Sequence, residues 1–242
     1  MSSTGVGPTG APGTPTPVGG TTALDTVVVA LDGPSGSGKS STARGVARAL
    51  GLRYLDTGAQ FRAVTQWMLD HDVAVEDPDA VAARAGEPLV ESGEDPEDPT
   101  ITVDGVDVSQ AIRGADVTGA VSAVSAVGAV REQLLELQRR IIGRGGIVVE
   151  GRDIGSVVAP GAAVKVYLTA DTAARAERRA AENGGGSIDD TAAGLLRRDS
   201  VDSGRESAPL VAAEGAVHID TTSFTLDEVV AQVVDLVRAA VD

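Results

Sequence analysis

The chain has 242 residues, 42% of them hydrophobic, with a formal net charge of −15 and no cysteine. That length accommodates one ample core with inserted subdomains, while the missing cysteines exclude a disulfide framework or a thiolate metal site. The acidic balance argues against nucleic-acid or membrane partners, both polyanionic, and no apolar run approaches a membrane span, so a soluble cytoplasmic protein is expected.

Met1 to Asp25 is rich in Gly, Pro, Thr and Ser. It lacks both the apolar core of a signal peptide and the arginines of a transit peptide, so a disordered tail is expected. Thr26-Val27-Val28-Val29-Ala30-Leu31-Asp32 reads as a buried strand, and Ser41 to Leu50 as a helix. Between them, Gly33-Pro34-Ser35-Gly36-Ser37-Gly38-Lys39-Ser40 fits the G-x-x-x-x-G-K-[ST] phosphate-binding loop. Its glycines let backbone N–H groups turn toward a phosphate chain, and the helix N-terminus adds partial positive charge. Lys39 can reach the β and γ phosphates, and Ser40 can offer its hydroxyl to Mg²⁺. Gly33 through Ser41 are therefore candidate nucleoside-triphosphate ligands.

Leu52-Arg53-Tyr54-Leu55 is a short apolar segment ending in Asp56-Thr57-Gly58. A helix follows from Ala59 to about Asp70, with Phe61, Val64, Trp67 and Met68 at helical spacing; Trp67 and Met68 are assigned to the core. Pro88-Leu89-Val90 and Thr100 to Val103 read as strands, with a hairpin turn at Asp104-Gly105 and an acidic surface loop from Glu91 to Pro99. This small antiparallel insert interrupts an otherwise alternating chain.

Asp116 to about Gly143 reads as one helix with Leu134, Leu135, Leu137, Ile141 and Ile142 on its apolar face. Gly145-Gly146 breaks it before a strand at Ile147 to Glu150, and Ala163 to Leu168 is another strand. A helix from near Asp171 carries Arg175, Arg178 and Arg179 to Glu182. The hinge-like run Asn183-Gly184-Gly185-Gly186-Ser187 precedes a helix from Ile188 to about Asp202. The last strand is Ala216 to Asp220, and a closing helix starts near Thr225, whose pairing with Glu228 resembles a capping box.

Alternating helices and continuous apolar strands predict an α/β fold with a mainly parallel sheet covered on both faces. Ligands then bind at the carboxyl ends of strands, where Asp32, Asp56, Glu150, Thr169 and Asp220 lie. Glu150 occupies the position from which a carboxylate can hold Mg²⁺ directly or through water. The only lysines are Lys39 and Lys165, so phosphate binding must rest on arginines. Arg62, Arg131, Arg152 and the array Arg198, Asp202, Arg205 are the candidates, each an ordinary surface charge taken singly but expected to converge as a set. His71 and His218 have no partner at metal-ligand spacing, and no Ser-His-Asp arrangement is suggested.

Four ordered segments resemble the signatures of the bacterial cytidylate kinase family: Asp32 to Ser40, Asp56 to Arg62, Glu150 to Gly155, and Arg198 to Arg205 extended by Ala208-Pro209-Leu210. The resemblance runs from about Thr26 to Asp242. It implies a P-loop NTPase-type three-layer sandwich (core 26–56, 114–170 and 203–242), with a monophosphate-binding insert at about 57–113 and a mobile helical lid at about 171–202. It further implies transfer of the ATP γ-phosphoryl to CMP or dCMP with Mg²⁺, in a protein usually monomeric.

By matched position, Gly33 through Ser41 would hold ATP, with Ser40 and Glu150 at the metal. Arg62, Arg152 and Arg205 would hold the acceptor's phosphate; Thr57, Asp202 and Arg198 would face its sugar; Ser122, Arg131 and Asp153 would read cytosine. Lys39, Arg152 and the lid residues Arg178 and Arg179 would act on the transferring phosphoryl. Three positions depart from the family pattern: Thr57 stands for a common serine, Phe61 in the acceptor site for tyrosine, and Glu150 for aspartate. Phe61 cannot supply a hydroxyl. The alternative is another P-loop kinase acting on UMP, dTMP, GMP or a small metabolite. A guanine-nucleotide switch would need N-K-x-D, and the only asparagine, Asn183, precedes glycine.

Overall fold

The structure, a computed structural model, describes residues 1, 23–182, 185, 187–204 and 210–242. Arg205, the Ala208-Pro209 pair, most of the glycine run after Glu182 and the tail over 2–22 lie outside the described residues.

In chain order, a short helix α1 (Ala23–Thr26) precedes strand β1 (Val28–Asp32), helix α2 (Lys39–Leu50), β2 (Arg53–Asp56) and α3 (Thr57–Asp70). Next come α4 (Pro78–Arg84), strands β3 (Val90–Ser92), β4 (Ile101–Val103) and β5 (Val106–Asp107), and a 3₁₀ turn at Ala111–Arg113. Helices α5 (Ala115–Ala126) and α6 (Gly128–Ile142) lead to β6 (Ile147–Gly151), a π turn at Ile154–Val158 and β7 (Val164–Thr169). Helices α7 (Thr172–Glu182) and α8 (Ile188–Ser203), strand β8 (Val217–Asp220) and α9 (Leu226–Val241) complete the chain.

Among the described residues, five strands form a sheet in the order β2-β6-β1-β7-β8, with all neighbours parallel. Side chains alternate between its two faces. Val29 and Leu31 of β1, Val148 of β6 and Val166 of β7 pack with Val46 of α2 and Val233 of α9. Ala30, Val149 and Leu55 face the other way, onto Ile141 and Ile142 of α6 and the π turn. Two helical layers therefore sandwich the sheet, as its doubly apolar strands require. The register aligns Asp32 with Gly151 and Asp56 with Glu150, so the acidic strand ends share one edge of the sheet.

A separate apolar cluster joins Val64, Trp67 and Met68 of α3 to Val81 of α4, Val90, Ile101 and Val103 of the small sheet, and Val130 and Leu134 of α6. The order of that sheet is β3-β4-β5, antiparallel. Asp104 and Gly105, both at positive φ, make its tight turn, and the Asp104 carboxylate also accepts the Trp67 indole N–H.

Four expectations are corrected. The tail expected to run disordered to Asp25 gives way to α1 at Ala23. The segment from Asp116 to Gly143 is two helices, because Val127 is extended (φ −73°, ψ 123°) and inserts its side chain into the second cluster. The first strand of the insert begins at Val90, not Pro88: Pro88 lacks an N–H, and the Leu89 N–H is drawn to the Asp104 carboxylate. The acidic surface loop expected over Glu91 to Pro99 starts only after Ser92, because Glu91 and Ser92 belong to β3, and the rest is anchored by side chains. Glu94 pairs with Arg53 and Arg144, the Tyr54 N–H donates to the Glu94 carbonyl, and Arg44 binds the Pro96 carbonyl at 2.8 Å. The capping box of Thr225 and Glu228 is present.

Candidate active site

The loop after β1 turns so sharply that only glycine fits at its first position. Gly33 has φ 148°, and a Cβ there would stand 2.1 Å from the Leu168 carbonyl oxygen of neighbouring β7. Gly38, at φ 88°, caps α2 without a side-chain hydrogen bond, which leaves first-turn N–H donors open toward the cleft. Lys39 curls across the loop and donates to the Pro34 carbonyl at 2.8 Å. Burial and the charge of Arg152 hold its ammonium well below the ordinary lysine value. An arriving polyanion would reverse that shift.

Carboxylates of the strand ends meet this loop with separate duties. Asp32 accepts the N–H groups of Ile154 and Gly155, both at 2.8 Å, and so fixes the chain leaving β6; burial raises its pKa to about 6. Asp56 accepts the Ala59 N–H and caps α3. Glu150 receives the Ser40 hydroxyl at 2.9 Å on one oxygen and the Tyr54 hydroxyl on the other, while its carbonyl accepts the Thr57 hydroxyl at 2.7 Å. Burial and the nearby Asp56 push the Glu150 carboxyl above the usual range. Ser40 and Glu150 thus offer a hydroxyl and a carboxylate side by side, the hard oxygen set that suits a small divalent cation.

Across the cleft the arginines gather. Arg152 donates to the Gly33 carbonyl at 2.8 Å and pairs with Asp202 of α8 at 3.0 Å. Arg62 donates to the Ile112 carbonyl and the Thr118 hydroxyl. Burial and the charges of Arg179 and Arg198 lower its pKa to about 10. Arg198 is depressed for the same reasons, with Arg179 and Arg152 as the repelling charges. Four guanidinium groups held close enough to repel one another form a site for a multiply charged anion.

The remaining wall comes from α3, α5 and α6. Arg131 pairs with Asp153, donates to the Ser125 carbonyl at the end of α5, and lies with its guanidinium carbon 5.5 Å from the Phe61 ring centroid. Ser122 stands beside them. A planar apolar ring, a cation, a carboxylate and hydroxyls can grip a flat heterocycle edge and face.

One cavity of about 220 Å³ joins these groups. Of the sequence-predicted residues, it brings together Ser35, Gly36, Gly38, Lys39, Ser40 and Ser41 of the loop, Thr57, Phe61 and Arg62 of α3, and Ser122 and Arg131. Glu150, Arg152, Asp153, Arg179, Arg198 and Asp202 also line it. Gly33, Pro34 and Ser37 do not line it, and the buried Ser37 hydroxyl has no hydrogen-bond partner among the described residues. Arg178 does not line the cavity; it donates to the Thr221 hydroxyl and carbonyl at 2.8 and 2.7 Å. Arg205 lies outside the described residues.

Other contributors had no assigned role in the sequence reading. Tyr54 is named there only as part of the short apolar segment Leu52 to Leu55. Asp199 of α8 accepts from Arg175 and, at 3.4 Å, from the Ser35 N–H, joining both helices after β7 to the loop. A carboxylate beside a predicted arginine array was the only local sign of it.

Comparison with known proteins shows the family to which the chain is similar. A family model described as cytidylate kinase matches residues 29–239. The chain is 52% identical over 214 residues to the cytidylate kinase of Streptomyces avermitilis, covering 88% of this chain and 93% of that one. It is 54% identical over 219 residues to the cytidylate kinase of Streptomyces griseus, covering 90% and 95%. An uncharacterized protein from Eubacterium ventriosum has a similar solved structure, with TM-score 0.50 and 10% identity over 88% of this chain and 99% of that one, a likeness of fold alone.

Proposed function

The chain belongs to the cytidylate kinase family, and from that premise we propose how its cleft performs ATP-dependent phosphorylation of CMP and dCMP. The reading rests on one observation: the phosphate loop and the Arg62, Arg152, Arg179 and Arg198 cluster line a common cavity with the Arg131–Asp153 pair.

ATP enters with its phosphates against the open N–H groups of the loop and the α2 N-terminus, and Lys39 leaves the Pro34 carbonyl to bind the β and γ phosphates. The acceptor's monophosphate meets Arg62 and Arg152, with Arg205 as a third ligand. Thr57, Asp202 and Arg198 face its sugar, and Ser122, Arg131 and Asp153 read the cytosine edge while Phe61 packs nearby. A nucleoside monophosphate has a second pKa of about 6 and is largely dianionic at neutral pH, so the attacking oxygen needs no strong base. What it needs is relief from repulsion between two polyanions, and the guanidinium groups supply that in a water-poor cleft. Arg179, and Arg178 once released from Thr221, approach the transferring phosphoryl as α7 and α8 close. That closure keeps water from the γ-phosphate.

Mg²⁺ belongs to this reading: Ser40 and Glu150 would hold it, and when bound it neutralises charge on the β and γ oxygens. The insert over about 57–113 carries the acceptor and the segment over about 171–202 acts as lid, in a cytoplasmic monomer. A crystal of the complex with ADP and CMP tests the proposal. CMP's phosphate is expected on Arg62 and Arg152 and its base on Arg131 and Asp153; CMP bound elsewhere would overturn the assignment.

A further inference from the structure

Tyr54 is 2% exposed, in the edge strand β2, with its ring in the apolar cluster under α2. Packing alone would be served by phenylalanine. A phenol in such a place must find a partner for its hydroxyl, and the partner here is one carboxylate oxygen of Glu150. The other oxygen accepts the Ser40 hydroxyl at 2.9 Å. Two donors on opposite oxygens fix the plane of a carboxylate whose side chain has one more rotatable bond than aspartate.

We propose that Tyr54 is a positioning residue for phosphoryl transfer: its hydroxyl locks Glu150 in the one orientation that presents both Glu150 and Ser40 to the metal-bound phosphates. The proposal rests on the assignment of Glu150 and Ser40 to Mg²⁺ made above. An ionised carboxylate only accepts hydrogen bonds, so Ser40 spends its single proton on Glu150 and keeps its lone pairs for the cleft. Each Glu150 oxygen, with one donor, also retains acceptor capacity on the cleft side. Tyr54 thereby sets the direction of both metal-facing oxygens without touching the nucleotide. Without its hydroxyl, one oxygen of a buried carboxylate loses its donor and the group can rotate away from Ser40.

Tyr54→Phe removes the hydroxyl and keeps the ring. ATP binding to the full-length protein is measured by calorimetry with EDTA and again with saturating Mg²⁺, beside kcat, the KM for CMP and the thermal unfolding midpoint. The variant is expected to bind metal-free ATP like wild type, to lose about tenfold of the affinity gained from Mg²⁺, and to lose kcat with little change in the KM for CMP. Glu150→Gln is measured in parallel. If Glu150→Gln keeps the full Mg²⁺ gain, the metal assignment itself is wrong and the proposal falls with it. If Glu150→Gln loses the gain while Tyr54→Phe keeps it, the positioning role alone is overturned. The double variant is expected to be no worse than Glu150→Gln, since Tyr54 acts only through that carboxylate; additive losses would contradict the proposal. That comparison also separates positioning from any general loosening of the core.

Discussion

The Nε of Arg152 stands 3.0 Å from the carboxylate of Asp202, although 50 residues separate them in sequence. The same guanidinium donates to the Gly33 carbonyl at 2.8 Å. One side chain at the end of β6 thus ties the phosphate loop to α8 across the cavity, at the junction where donor and acceptor phosphates would meet.

Arg152→Ala should therefore damage chemistry more than binding. Turnover is expected to fall by about two to three orders of magnitude, the scale of losing a donor to developing charge, while ATP affinity stays nearly unchanged. Single-turnover kinetics beside ATP titration measure both. A near-normal kcat would remove Arg152 from its assigned role.

Arg131 and Asp153 form a pair with side chains 13% and 7% exposed on the wall assigned to the base. Arg131→Ala is expected to raise the KM for CMP by about 10- to 100-fold, the cost of leaving buried polar groups without partners, with the KM for ATP unaffected. Asp153→Ala should act similarly, and the double variant should cost little more than either single change. Equal losses for ATP and CMP would place the pair outside the acceptor subsite.

Asp32 makes stability pH-dependent in a direction unusual for a carboxylate. Burial raises its folded pKa from 3.8 to about 6, so the folded state holds this proton more tightly than the unfolded chain does. Its stabilising contribution is full below pH 3.8 and is lost as pH rises through about 6. Asp32→Asn abolishes that dependence. Urea unfolding from pH 7 to pH 4 is expected to shift the stability difference toward wild type by about 2 kcal/mol. A pH-independent difference would contradict the burial argument.

What sequence disclosed was local. The phosphate loop, the apolar strands and the acids at their ends are contiguous patterns, and each lies within two residues of where its spacing predicted, although Thr26, read as strand, ends α1. The helix α4 escaped notice although Asp77-Pro78 is an N-cap followed by proline at the first helical position; its seven residues are too few for a clear apolar period. The break at Val127 was hidden because apolar residues continue on both sides of it.

Contacts across the fold were less accessible. Tyr54 meets Glu150 over 96 residues, and Asp199 meets Ser35 over 164. Glu94 counted as one more solvated acid in a charged run, yet it closes onto Arg53 and Arg144. The arginines were visible as candidates, but their roles came from family resemblance rather than from spacing, since nothing local distinguishes Arg179, which lines the cavity, from Arg178, which turns to Thr221.

The most direct test of the whole account is an acceptor panel in a coupled ADP-release assay, with ATP and Mg²⁺ fixed and CMP, dCMP, UMP, dTMP, GMP and AMP supplied in turn. CMP and dCMP are expected to give the highest kcat/KM, with UMP below them and the purines and dTMP near background. ADP release independent of CMP, or a purine or dTMP as best acceptor, would contradict it.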